Sequence, residues 1–180
     1  ISSIVQSYLD QSDNRALIVL ATGLGKTFVA AEAFRRINVQ HRIRTLVLAH
    51  TNSLVYQLER AFWPFLTPEQ STCIWNGYEH PDLTKDYDFV FACIDTVYDS
   101  LQKGIYYDCD AIIIDECHHA GSPTYGKVID FYRAGKQGVY LLGLTATPWS
   151  PDDVDIKDIF GEPRISIDMV YGMKHGFLTN

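Results

Sequence analysis

The sequence predicts an α/β domain built on a mostly parallel sheet sandwiched between helices, and three observations predict it. Short apolar runs alternate with stretches of helical periodicity from end to end. The runs are apolar throughout rather than alternating, as befits parallel strands buried on both faces. A glycine-rich turn joins the first run to the first helical stretch, as α/β units do.

Ala16 to Leu20 is the first run, followed by the turn Ala21-Thr-Gly-Leu-Gly25. From Lys26 to Ile37 the apolar residues Phe28, Val29, Ala30, Ala33, Phe34 and Ile37 fall at helical spacing. Thr45 to Ala49 reads as the next strand. The helix after it carries Leu54, Val55, Leu58, Ala61 and Phe62 and is closed by Pro64 and Pro68. Further strands are expected at Ser71 to Trp75, Phe89 to Ile94, Ala111 to Ile114 and Val139 to Leu144. Helices are expected at Asp95 to Lys103 and Tyr125 to Ala134. Between Ser150 and Asp158, four aspartates (152, 153, 155 and 158) mark a solvated loop or short helix.

The 180 residues suit one domain, 1–180, large enough to bury a core without disulfide or metal. The composition, 47% hydrophobic and 21% charged, is that of a globular chain. No 18-residue apolar run is present, which excludes a transmembrane helix. The formal charge of −7 speaks against a general nucleic-acid coat and leaves a local contact open. Cys73, Cys93, Cys109 and Cys117 form no Cys-x-x-Cys pair, so reduced thiols in a cytoplasmic protein are expected. The start at Ile1 without a signal-peptide pattern suggests a piece of something longer.

Leu20-Ala-Thr-Gly-Leu-Gly-Lys-Thr27 keeps the phosphate-loop pattern except at its first glycine, here Leu20. Thr22, Gly23, Leu24 and Gly25 would curl the backbone so that N–H groups and the helix start face an anion. Lys26 would bridge the β- and γ-phosphates, and the Thr27 hydroxyl would meet Mg²⁺. Alone, these residues also fit a glycine-rich turn with a solvated lysine.

The partner is Ala111-Ile-Ile-Ile-Asp-Glu-Cys-His118, an apolar strand that delivers two carboxylates to the edge where α/β sheets bind ligands. Asp115 suits the metal and Glu116 the base that activates water. The motifs stand in the order expected of a nucleoside-triphosphate site, on adjacent strand types. A helix-start charge cluster is the bland alternative. A zinc site on Cys117, His118 and His119 lacks ligand spacing, and a Cys–His nucleophile pair cannot face itself across adjacent residues. His119 reads as a loop residue.

Ala21-Thr-Gly-Leu-Gly-Lys-Thr27, Asp115-Glu-Cys-His118 and Leu144-Thr-Ala-Thr-Pro148 resemble motifs I, II and III of superfamily 2 helicases and translocases. Leu46-Val-Leu-Ala-His-Thr51 resembles motif Ia, and Phe91-Ala-Cys-Ile-Asp-Thr96 the nucleic-acid-contacting segment after it. The likeness spans nearly the whole chain as a first RecA-like P-loop NTPase domain. It implies catalytic roles for Lys26, Asp115, Glu116 and His118, with ATP and Mg²⁺ as cofactors. It implies that His118 couples to Thr145 and Thr147, and that His50, Thr51 and Thr96 lie along the strand backbone.

D-E-C-H with T-A-T-P is closer to DNA translocases of restriction and repair, which makes DNA the expected partner. D-E-C-H also occurs in RNA helicases, so an RNA-remodelling motor is the alternative, and a non-motor nucleotide switch is a third. Thr51 and Ser150 stand where many relatives have arginine. The adenine-reading glutamine is expected ahead of Ile1, with Gln6 the candidate inside the chain. A second RecA-like domain of the same polypeptide is expected to supply the arginine finger, so the fragment alone should hydrolyse ATP weakly. The implied location is the cytoplasm, or the nucleoid.

Arg35, Arg36, Arg42 and Arg44 form the basic cluster, placed at the sheet edge opposite the ATP site. Tyr56, Phe62, Trp63 and Phe65 are expected in core or domain packing rather than in base stacking. Trp75 and Trp149 flank loops at strand ends, with core packing expected for Trp149.

Overall fold

The computed structural model describes residues 1–10, 14–136, 138–147 and 154–175. Trp149, Ser150, Asp152, Asp153, Phe177 and Leu178 lie outside the described residues. The chain runs α1 (Ser2–Asp10), β1 (Arg15–Leu20), α2 (Lys26–His41), β2 (Thr45–Ala49), α3 (Asn52–Phe62), β3 (Thr72–Trp75) and β4 (Phe89–Cys93). It continues α4 (Ile94–Gln102), β5 (Ala111–Asp115), α5 (Pro123–Tyr132), β6 (Tyr140–Thr145), α6 (Ile156–Phe160), β7 (Pro163–Ile167) and α7 (Met169–Lys174). Short 3-10 turns follow α3 at Trp63–Phe65 and β5 at Cys117–Gly121.

The seven strands among the described residues are all parallel, in the order β3-β4-β2-β5-β6-β1-β7. The continuous apolar runs have a direct cause. Successive residues of β1 point to opposite faces, and both faces are buried. Ile18 and Leu20 pack with Ala30, Phe34, Ile37, Val55 and Phe62 beneath α2 and α3. Leu17 and Val19 pack with Val97, Val128, Ile129, Ile156 and Phe160 on the other side.

The expected strands and helices are present within a few residues. Three elements were not anticipated, α1, β7 and α7, while α6 begins inside the stretch expected as a loop or short helix. The signal for α1 was available, since Ile1, Ile4, Val5 and Tyr8 follow helical spacing and pack on the core. Two expectations need correction. The phosphate-loop strand β1 and the acidic strand β5 are not neighbours, because β6 lies between them. Of the core or domain packing expected for Trp63, the core half fails: it is 55% exposed on this domain, and Phe62, a helical step before it, takes the buried place.

Candidate functional site

The loop from Ala21 to Gly25 leaves β1 and enters α2 without a gap. Gly23 and Gly25 have φ of 87° and 79°, left-handed backbone open to glycine at little cost, which is why this turn needs them. The Leu24 amide donates to the Ala21 carbonyl at 3.1 Å and fixes the bend. Lys26 and Thr27 are therefore the first residues of α2, at the positive end of a 16-residue helix.

The strand register aligns the other motifs with this loop. Val19 of β1 pairs with Thr145 of β6, and Leu144 pairs with Asp115 of β5. Each of β1 and β5 therefore ends within a residue of β6 between them. Lys26 Nζ lies 3.6 Å from Glu116 Oε1, so motifs remote in sequence meet across the end of β6. Glu116 is held at φ 48°, a left-handed conformation rare for a non-glycine residue. Strain of this kind concentrates at functional turns.

Asp115 is 9% exposed, and its Oδ1 is buried with no hydrogen-bond partner among the described residues. Burial, and then the neighbouring Glu116 carboxylate, push its pKa up to about 6, while Lys26 opposes the shift. A buried carboxylate oxygen in this state is costly unless a cation meets it. The donor set, Asp115 with the hydroxyl of Thr27, which follows Lys26 at the start of α2, fits a hard divalent ion.

His118 Nδ1 lies 3.1 Å from Thr145 Oγ1 and 3.3 Å from Glu116 Oε2. Thr145 Oγ1–H donates to the Thr147 carbonyl at 2.8 Å and accepts from the Thr147 amide at 3.1 Å. With its one hydrogen so used, the hydroxyl can only accept from His118, so the network requires the Nδ1–H tautomer. Burial, with the His119 imidazole next, lowers the His118 pKa. Cys117 is fully buried and its thiol is pushed well up by burial, as suits a packing residue rather than a nucleophile.

His50 follows β2, Thr51 caps α3 by accepting from the Leu54 amide at 3.4 Å, and Thr96 lies in the first turn of α4 after β4. Strands β2 and β4 are neighbours in register, Ala49 against Cys93, so these three residues share the same sheet edge. His119 was missed as more than a loop residue. Its ring stands 4.1 Å from that of His118 and 4.9 Å from that of His50, bridging the acidic turn to the end of β2. The His118-His119 doublet was the signal. No group of three or more metal-ligating side chains is present among the described residues. Gln6 lies exposed on α1.

Three of the four clustered arginines are paired away from the motifs. Arg35 and Arg36 pair with Glu32, and Arg44 with Asp110 and Asp86. A cavity of about 650 Å³ beside Arg42, Arg44, Asp86 and Asp88 lies at the beginning of the strands, away from the motifs. No helix among the described residues is long and apolar enough to cross a membrane.

Residues 1–150 match the family model of the type III restriction enzyme, res subunit. The chain is 30% identical to the type I restriction enzyme EcoAI endonuclease subunit of Escherichia coli, across 95% of the chain and 21% of that protein. It is 32% identical to the ATP-dependent DNA helicase mph1 of Sclerotinia sclerotiorum, across 87% of the chain and 14% of the helicase. The Hef helicase domain of Pyrococcus furiosus superposes with a TM-score of 0.69 at 27% identity, covering 84% of this chain and 34% of that one. The chain thus spans about a fifth or less of the length of these curated relatives. By its family match, its parallel sheet and the order of its motifs, it belongs to the type III restriction enzyme res-subunit family, as a first RecA-like domain of superfamily 2 helicase type.

Proposed function

We propose that residues 1–180 form the ATP-binding domain of an ATP-dependent DNA helicase or translocase, completed by a second RecA-like domain of the same polypeptide. The observation that carries this reading is the 3.6 Å approach of Lys26 to Glu116, which joins the phosphate loop to the acidic turn. The amides of residues 22–25 and the start of α2 would cradle the phosphates, with Lys26 neutralising the β- and γ-oxygens. Glu116 would accept the proton of the attacking water. Thr27 and Asp115 would hold Mg²⁺, which supplies charge neutralisation at the phosphate oxygens. His118, through Thr145 and Thr147, would link that site to His50, Thr51 and Thr96 on the nucleic-acid side. Those contacts address backbone and position the strand without reading sequence.

DNA is favoured over RNA because the mph1 relative is described as a DNA helicase and another relative as a restriction endonuclease subunit. A place in the cytoplasm or on the nucleoid follows from that role. The test is full-length ATPase with duplex DNA or RNA as activator, beside binding of a fluorescent ATP analogue. Lys26→Ala should abolish nucleotide binding. Glu116→Gln should bind nucleotide and lose turnover by about 10²-fold or more. Normal turnover by Glu116→Gln removes Glu116 as the base, and equal or greater stimulation by RNA overturns the preference for DNA.

A further inference from the structure

Glu116 needs an anchor on each side. Its φ of 48° is left-handed, a conformation that a residue with a side chain keeps only where its surroundings impose it. One flank is secure, since Asp115 ends β5 in register with Leu144 of β6. The other flank is Cys117, which opens a 3-10 turn of five residues. Within it the His119 amide donates to the Glu116 carbonyl and the Ser122 amide to the His119 carbonyl, each at 3.1 Å. So short a 3-10 turn has little stability of its own. The seat of Cys117 therefore decides where Glu116 points.

Helix α6 builds that seat. Cys117 is fully buried, and its Sγ converges with two ring carbons of Phe160 on the bare face of Gly143. A side-chain carbon at Gly143 would stand 2.8 Å from the sulfur and 2.7 and 2.9 Å from the ring. Because β6 carries no side chain at this point, ring and sulfur can meet over the strand. Phe160 thus closes the pocket that Cys117 fills, one residue from the proposed base.

Five residues are too few for α6 to persist alone. Ile156 and Phe160, four residues apart and so on one face, anchor it in the core, both fully buried. Asp155 caps its start by accepting from the Lys157 amide at 2.9 Å. At its other end Arg15, the first residue of β1, donates from Nη1 to the Asp158 and Ile159 carbonyls at 2.9 and 3.4 Å. A side chain from the strand that leads into the phosphate loop therefore holds the helix that packs against the acidic turn.

The geometry points to Phe160 as a positioning residue for Glu116: through Cys117 it fixes the turn that aims the carboxylate. Arg15 acts one step further back by holding α6 in place. This rests on the base role proposed for Glu116 and supplies what keeps that base in its left-handed backbone. A side chain of this kind affects the chemical step and leaves ground-state nucleotide binding alone.

The test uses the full-length protein with saturating DNA, well below each variant's thermal midpoint. ATPase is read by phosphate release and affinity by a fluorescent ATP analogue. Phe160→Leu should lower kcat about tenfold, as a small misplacement of a reacting group does, and keep the nucleotide Kd within about twofold of wild type. Arg15→Gln frees the α6 carbonyls without opening the core, so it answers the same question where Phe160→Leu fails to fold. Its kcat should fall severalfold with Kd unchanged. The decisive arm pairs each change with Glu116→Gln. A residue that works only through Glu116 has nothing left to position there, so Phe160→Leu or Arg15→Gln should leave the residual turnover of Glu116→Gln as it is.

Wild-type kcat in folded Phe160→Leu and Arg15→Gln overturns the positioning role and leaves the motor reading intact. So does an equal fractional loss in the Glu116→Gln background, which is what a packing role gives. Normal turnover by Glu116→Gln itself overturns the base role, and this inference with it.

Discussion

Gly143 offers the sharpest test of how packing holds the candidate site. It lies in β6, paired with Leu17 of β1 and Ile114 of β5, two residues before β6 ends. A methyl group there would stand 2.7 and 2.9 Å from ring carbons of Phe160 and 2.8 Å from Cys117 Sγ. Carbon contacts settle near 3.5–4.0 Å, so neighbours must retreat by roughly 0.7 Å or more. Both are fully buried, and neither is the free end of a flexible chain. Overpacking of this kind costs about 2 kcal/mol, and for a chain of this length lowers the thermal midpoint by roughly 4–8 °C. Cys117 sits between Glu116 and His118, so displacement of its sulfur reaches the acidic turn, and ATPase should fall with stability. The assay is thermal melting by circular dichroism of wild type, Gly143→Ala, Phe160→Leu and the double variant. The double variant should be less destabilised than the two singles added together, because the smaller side chain vacates the contested space. A Gly143→Ala midpoint within about 1 °C of wild type, with additive costs, would refute the reasoning.

Three further outcomes are expected. Thr145→Val removes the hydroxyl that His118 and Thr147 share, so it should preserve nucleotide binding and lower DNA-stimulated ATPase of the full-length protein by about tenfold, measured by phosphate release. Glu32 is held at about 2, below its ordinary 4.5, chiefly by its hydrogen bond from Arg35 and further by Arg36. Its folded pKa is depressed, so its stabilisation is full above pH 4.5 and lost as pH falls toward 2; the melting difference between wild type and Glu32→Gln should shrink across that window. Of the four thiols, only Cys73 is not buried, so a disulfide reagent should titrate close to one equivalent in the native chain and all four after denaturation.

The sheet was legible because a strand buried on both faces must be apolar at every position, and Ala16 to Leu20 and Ala111 to Ile114 show little else. The same logic explains why β7 escaped notice. It is an edge strand whose residues alternate between half-buried and exposed, so Pro163–Ile167 carries no continuous run. Lys26 and Asp115-Glu116 could be paired from motif order alone, but the intervening strand could not, since strand order depends on crossovers far apart in sequence. The approach of His119 to His50 was hidden for the same reason. It arises where the turn after β5 meets the end of neighbouring β2, a contact that no local spacing encodes.

The pair formed by Lys26 and Glu116 also bears on what an incoming triphosphate must displace. The Lys26 ammonium has an anionic companion of the protein's own, itself 29% exposed. In the proposed role a nucleotide would compete with the protein's own carboxylate for the same cation, and the proposed base would be released only when phosphate took its place. Loading would thus arm the site by exchange of partners: an amide at position 116, being a poorer rival, should leave the lysine readier to receive ATP even as it disables the chemistry that follows.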